Sequence, residues 1–282
     1  MSRLRVVTRS PRIVLLLGAL ITALAASVAV AAQASHTVRV PTPSNPTPIP
    51  PEPEPLPPPS GPCGDARLRC PDLVVRPPSE LRVLRGRNGH VRLASRNVLI
   101  NRGAGPLFLL GERDGDGPMH VSQRIYSESG RHDDYPLADT WFDFWAIPGQ
   151  GSYWKLRDGL RFELWTAGGP LEQFVKVGRK TRFCMRDLAE VPGLAGPRFR
   201  KFGACNQSPR KRSVRMGISA GWAESYPPAY FEQYVDVTGL SGCYALRHIA
   251  DPLNHVYESD ESNNFAQTRV HLPPRRGRVR GC

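Results

Sequence analysis

The stretch His90-Val-Arg-Leu-Ala-Ser-Arg-Asn-Val-Leu-Ile-Asn101 decides the fold. Aliphatic and β-branched residues alternate with polar ones and then run apolar. A period of two predicts a strand with one buried face. The pattern returns upstream at 72–75 and 80–84. Downstream it returns at 107–110, 120–126, 160–166, 173–177, 234–238, 242–249 and 265–272. Glycine and proline punctuate at short intervals, as at Gly103, Gly115, Pro148, Gly168 and Gly239. No window of a dozen residues holds a helical stripe. Short strands at regular spacing predict an all-β fold, an antiparallel β-sandwich. No internal repeat is present.

The ends of the chain have a different composition. Arg3, Arg5, Arg9 and Arg12 precede an apolar run over 13–32, and Ala32-Gln-Ala34 has the small-x-small form of a cleavage site. Residues 1–34 are therefore expected to be a signal peptide. The alternative is an uncleaved membrane anchor, because about 20 apolar residues can span a bilayer. Residues 35–61 form a Pro-rich linker of polyproline character. Residues 62–273 are long enough for one domain with a full core, and 274–282 are expected as a basic tail. The protein is expected to be secreted, extracellular or associated with a cell wall.

An exported chain with six cysteines suggests disulfides. Cys63 and Cys70 would close a short loop, Cys184 and Cys205 would bracket an irregular segment, and Cys243 and Cys282 remain. Fifteen connectivities are possible for six cysteines, so the pairing stays open.

The formal net charge is +13. Arg198, Arg200, Lys201, Arg210, Lys211, Arg212 and Arg215 form a cluster that contains no acid. Such a run is either a solvated loop or a surface drawn to an anionic partner. The expected partner is an extracellular protein or an anionic cell-wall polymer. Nucleic acid is not expected, since no recognition motif is present.

Two motif pairs carry chemical information. The first is Lys180-Thr-Arg-Phe-Cys184 with Gly217-Ile-Ser-Ala-Gly-Trp-Ala-Glu-Ser-Tyr226. The second is Tyr234-Val-Asp-Val-Thr-Gly-Leu240 with Glu258-Ser-Asp-Glu-Ser-Asn-Asn264. Together they resemble the catalytic domain of the lysyl oxidase family, over roughly residues 70–272. The resemblance implies a β-sandwich and copper-dependent oxidative deamination of peptidyl lysine and other primary amines. It implies that Lys180 and Tyr226 are the catalytic pair that becomes a crosslinked lysine–tyrosine quinone. It also implies a histidine cluster for copper just upstream, at places that align with Gln150, Ser152 and Trp154.

Those histidines are missing. The chain's seven histidines stand at 36, 90, 120, 132, 248, 255 and 271, so none lies between His132 and His248. Copper is held by convergent imidazoles, which Ser152 and Trp154 cannot replace. His120 with His132 is the best remaining ligand pair. Copper and the quinone are accordingly expected to be absent, and Tyr226 and Lys180 to remain a phenol and an amine.

The resemblance also implies a structural calcium. Glu258, Asp260, Asn263 and Asn264 offer hard oxygen donors within one loop, which suits calcium. Asp72 and the backbone carbonyl of Leu73 would complete the site. Asp114-Gly-Asp116-Gly reads as a turn. Glu163, Glu172 and Asp158 could in principle serve as a glycosidase acid and base, but nothing in the sequence brings them together.

The reading is an exported lysyl-oxidase-like protein, catalytically degenerate and acting as an extracellular or cell-wall binding module. The alternative is an active amine oxidase of the protein-lysine 6-oxidase type with a rearranged copper site.

Overall fold

A computed structural model describes residues 61–282, apart from residues 87, 170 and 276. The expected signal peptide and nearly all of the Pro-rich linker lie outside the described residues. Regular structure among the described residues is strand, with one short 3-10 turn at Pro62–Gly64. Every strand pairing is antiparallel.

Val91–Asn101 is the hub of one sheet. Trp222–Tyr226, Tyr234–Asp236, Leu73–Val75 and Ser79–Arg85 all pair along it. Its eleven residues give two registers on each edge, so four short strands share one long template. A second sheet runs in the order Arg182–Phe183, Gly151–Arg157, His132–Ile147, Met119–Ser127, Leu107–Glu112, Ser213–Ile218. A third runs Phe174–Val177, Leu160–Thr166, Gly242–Ala250, Phe265–Arg275, Arg278–Arg280. Inward side chains of the three sheets meet in one core, which includes Leu99, Phe142, Trp154, Leu164, Phe183 and Tyr226. The all-β, antiparallel expectation agrees with this architecture.

Gly217 shows why a motif residue is fixed by packing. A Cβ there would sit 1.9 Å from the Leu107 carbonyl oxygen and 2.9 Å from the Phe202 ring. Only glycine lets the edge strand Ser213–Ile218 lie against Leu107–Glu112 at this point.

Strands Gly151–Arg157, Ser213–Ile218 and Trp222–Tyr226 lie where the sequence pattern placed none, and two further features differ from the sequence-based expectation. First, His132–Ile147 is a sixteen-residue strand in a stretch where the sequence pattern placed none. Its first half is mostly exposed, so no alternation marks it. Between Ser122↔Pro136 and His120↔Trp141 the register jumps, and Asp139 adopts φ 50° in the bulge. Second, the segment expected as a basic tail contains Arg278–Arg280, which pairs with Phe265–Arg275. Cys243–Cys282 closes that hairpin onto the neighbouring strand. Cys63–Cys70 and Cys184–Cys205 are also bonded, so all three anticipated pairs occur.

Candidate functional site

Lys180 and Tyr226 are neighbours. Lys180 follows Gly178 and Arg179, whose N–H groups donate to the Phe162 and Tyr234 carbonyls and so turn the lysine inward. Its side chain is boxed by rings. Nζ lies 3.5 Å from the Tyr226 centroid, 4.1 Å from Tyr230 and 4.7 Å from Phe183. The residue is 3% exposed. Its one polar neighbour in hydrogen-bond range is Gln233 Oε1, at 3.5 Å. The amine lies over the face of the Tyr226 ring. A nitrogen bonded to a ring carbon lies in the ring plane, so crosslinking would require the amine to swing off that face.

Tyr226 ends the strand Trp222–Tyr226, and its phenol is pinned. Its hydroxyl donates to the Cys184 carbonyl at 2.9 Å and accepts from the Cys184 N–H at 3.0 Å. Cys184 is itself fixed by the bond to Cys205. Burial, with Glu224 beside it, pushes the phenol well above its ordinary pKa.

Three further residues belong to the cluster, none of them singled out from the sequence. Gln233 donates from Nε2 towards Ser95 O, Asn97 Oδ1 and Tyr226 O, which leaves Oε1 facing the lysine. Glu224 is fully buried, and neither carboxyl oxygen has a hydrogen-bond partner among the described residues. Burial pushes it up to about 8, so it is largely protonated at neutral pH. Lys155 is 2% exposed and is pushed down to about 8 by burial. Lys180 is pushed well below its ordinary value, first by burial and then by the Lys155 charge. A small cavity of about 10 Å³ joins Lys155, Lys180, Tyr230 and Glu232. Glu224 stands inside the motif that ends at Tyr226 and Gln233 directly before Tyr234, while strand pairing brings Lys155 in from elsewhere.

Burial that lowers an amine's pKa costs stability, and the sign follows. The folded pKa of Lys180 lies below the unfolded one. The cost is therefore absent above the ordinary lysine pKa and accumulates as pH falls through that range. Lys180→Met removes it while filling similar space. The variant is expected to melt at least about 2 °C higher than the parent at neutral pH, the shift that about 1 kcal/mol produces in a domain of this size. The advantage should shrink at pH 10. A lower melting temperature at neutral pH would show that the amine stabilises the cage instead.

The residues aligned with the copper ligands do not make a copper site. Gln150 lies exposed in the turn after His132–Ile147, where its carbonyl accepts from the Tyr153 hydroxyl at 2.8 Å. Trp154 is buried, and its Nε1 donates to Ser208 O at 2.9 Å. An indole N–H offers no lone pair to a metal. Alternation along Gly151–Arg157 puts Ser152 and Trp154 on the face opposite Lys155, away from the cavity it shares with Lys180. His120 packs on Trp141 at 3.9 Å and His132 packs beside Tyr126. The two histidines sit at opposite ends of one strand pair, so they form no ligand pair. His248 is buried with Nε2 2.9 Å from Ser95 Oγ, and burial pushes it down to about 3. One isolated imidazole cannot hold copper.

The acidic loop does meet the start of the domain. Glu258 Oε2 accepts from the Leu73 N–H at 2.5 Å, and Asn263 Nδ2 donates to Asp72 Oδ1 at 3.0 Å. Leu73 thus enters through its N–H. Asn263 also donates to Asp260 Oδ2, and Asn264 donates to Glu258 Oε1. The buried Oδ1 atoms of Asn263 and Asn264 have no partner among the described residues. Glu261 and Asp251, not anticipated, add carboxylates nearby. Burial, then the neighbouring carboxylates, push Glu258 well up and Glu261 up to about 7. Among the described residues no three His, Cys, Asp or Glu side chains are already gathered closely enough to hold an ion. Glu163 is engaged by Trp165 and Glu172 by Arg247, so no glycosidase pair forms.

This geometry is an all-β antiparallel domain built around a buried amine–phenol pair. Residues 152–282 match the family model described as lysyl oxidase, and this segment is a lysyl oxidase family domain. No curated protein matches the chain. The family's activity is copper-dependent oxidative deamination of peptidyl lysine and primary amines, and its members are typically extracellular. Among the described residues no helix is long and apolar enough to cross a membrane.

Proposed function

We propose that this protein is an exported, catalytically degenerate lysyl-oxidase-like protein. It would act outside the cell as a binding module for an extracellular partner, with an anionic cell-wall polymer as the favoured one. The observation that carries this reading is the donor set. Gln150, Ser152 and Trp154 supply no imidazole, and no histidine stands between His132 and His248. Lys180 and Tyr226 then serve as packing: the amine fills a ring-walled cage and the phenol ties the strand Trp222–Tyr226 to Cys184. Calcium is the ion proposed for the acidic loop, held by Asp72, Glu258, Asp260, Asn263, Asn264 and the Leu73 backbone carbonyl. Hard oxygens and two unpartnered amide oxygens support it.

One observation favours the alternative of an active amine oxidase with a rearranged copper site. The amine–phenol pair is kept in contact, with Nζ 3.5 Å from the ring centroid. Intact mass spectrometry separates the two readings. The degenerate reading expects the uncrosslinked mass, less the hydrogens lost to three disulfides. It also expects no stoichiometric copper, no quinone absorption and no peroxide released from amines. A digest containing a Lys180–Tyr226 crosslinked peptide overturns it.

A further inference from the structure

A cleft of about 750 Å³ opens beside the lysine cavity and shares Trp145 and Arg182 with it. Phe144 and Trp145 line its apolar part, and Arg182 stacks on Trp145 at 4.1 Å. Its charged residues are four arginines (113, 182, 210, 212) and two aspartates (116, 143), a net of +2.

Part of the arginine charge is already matched within the protein. Asp143 is already held by Arg157 and Arg182, each at 2.7 Å. Asp116 is fully solvated and 3.9 Å from Arg212, where a surface pair contributes little. Arg210 makes no ion pair or side-chain hydrogen bond among the described residues.

The rim is built rather than loose. Arg113 clamps the loop that carries Arg210 and Arg212. It donates to the carbonyls of Lys211 at 3.0 Å and Gly117 at 2.8 Å, and also to that of Pro209. Its guanidinium packs on Trp154 at 4.7 Å. Arg212 in turn donates to the Gly115 carbonyl. Trp154 also binds this loop, through Ser208 O. The buried indole at an aligned copper position therefore supports the cationic rim.

We propose that this cleft binds an acidic glycan, with the anionic substituent held by Arg210 and Arg212 and a sugar ring against Phe144 and Trp145. The chemistry favours this class. Guanidinium groups match planar carboxylates and tetrahedral phosphates or sulfates, and an aromatic floor suits the apolar face of a sugar ring. The inference rests on the proposed role as a binding module and names the place and the ligand.

The test titrates the full mature chain with polygalacturonate and dextran sulfate. Neutral dextran and inorganic polyphosphate are the controls. Arg210→Ser with Arg212→Ser is expected to weaken both acidic glycans by at least about tenfold, the size of one lost charge-assisted contact. Arg198→Ser with Arg200→Ser, outside the cleft, should leave binding unchanged. Trp145→Leu should weaken the glycans. Unchanged melting temperatures for the arginine variants exclude misfolding. If the wild type binds and the Arg210/Arg212 variant binds equally well, the cleft is wrong while the polymer-binding role stands. If no acidic glycan binds, both fail. Polyphosphate bound as tightly as the glycans would overturn sugar recognition.

Discussion

Replacing Cys184 and Cys205 together by alanine is expected to lower stability by about 3 kcal/mol. The bond closes a loop with a sequence separation of 21, and chain-entropy estimates for loops of this size give about that value. The melting temperature should fall by about 6–12 °C in a domain of this size. The damage should also reach the candidate site, because both hydrogen bonds of the Tyr226 hydroxyl go to the Cys184 backbone. Tyrosine fluorescence or near-ultraviolet circular dichroism should therefore change below the melting transition. A variant that melts within about 2 °C of the parent would mean that Cys184 and Cys205 hold the segment by packing alone.

Excess calcium is expected to raise the melting temperature, and a chelator to reverse it. A ligand bound only by the native state adds about 2.7 kcal/mol at a hundredfold excess over its dissociation constant, about 5–10 °C here. Where the ligands sit decides which parts of the fold the ion joins. Asp72 precedes the strand Leu73–Val75, and Glu258 to Asn264 lie just before Phe265–Arg275. An ion shared between them staples the first strands of the domain to the last hairpin. The Asn263–Asp72 and Glu258–Leu73 contacts already draw the two together. Asp260→Ala should remove the calcium response while leaving the fold intact. Coincident melting curves in calcium and chelator would reject the site.

Most of the sheet framework was legible because one buried face imprints a period of two. Val91–Asn101 shows this best, with a strand on each flank reading its alternation. His132–Ile147 was not legible, since its first half has water on both faces and its middle bulges at Asp139. Arg278–Arg280 was missed for a related reason. Three arginine-flanked residues next to prolines look like a solvated end, and only pairing and a bonded Cys282 make them a strand. At the site, Lys180 and Tyr226 stood out by their motifs. Lys155, Glu224 and Gln233 did not, because a lone lysine, glutamate or glutamine in or beside a strand reads as surface. Their burial is a property of which strands meet, which spacing along the chain does not carry.

The ring-walled cage around Lys180 makes this residue a clock for breathing of the domain. Every solvated lysine at neutral pH is protonated and accessible, and so reacts slowly but steadily with amine-directed reagents. Lys180 is the reverse: burial lowers its pKa, yet the amine is screened by Tyr226, Tyr230 and Phe183. At reagent concentrations high enough for capture to outpace closing, its acylation would then track how often the cage parts, not how nucleophilic the amine is. A time course of labelling, read peptide by peptide, would report the opening rate of the buried centre from the native protein alone, without a probe introduced by mutation.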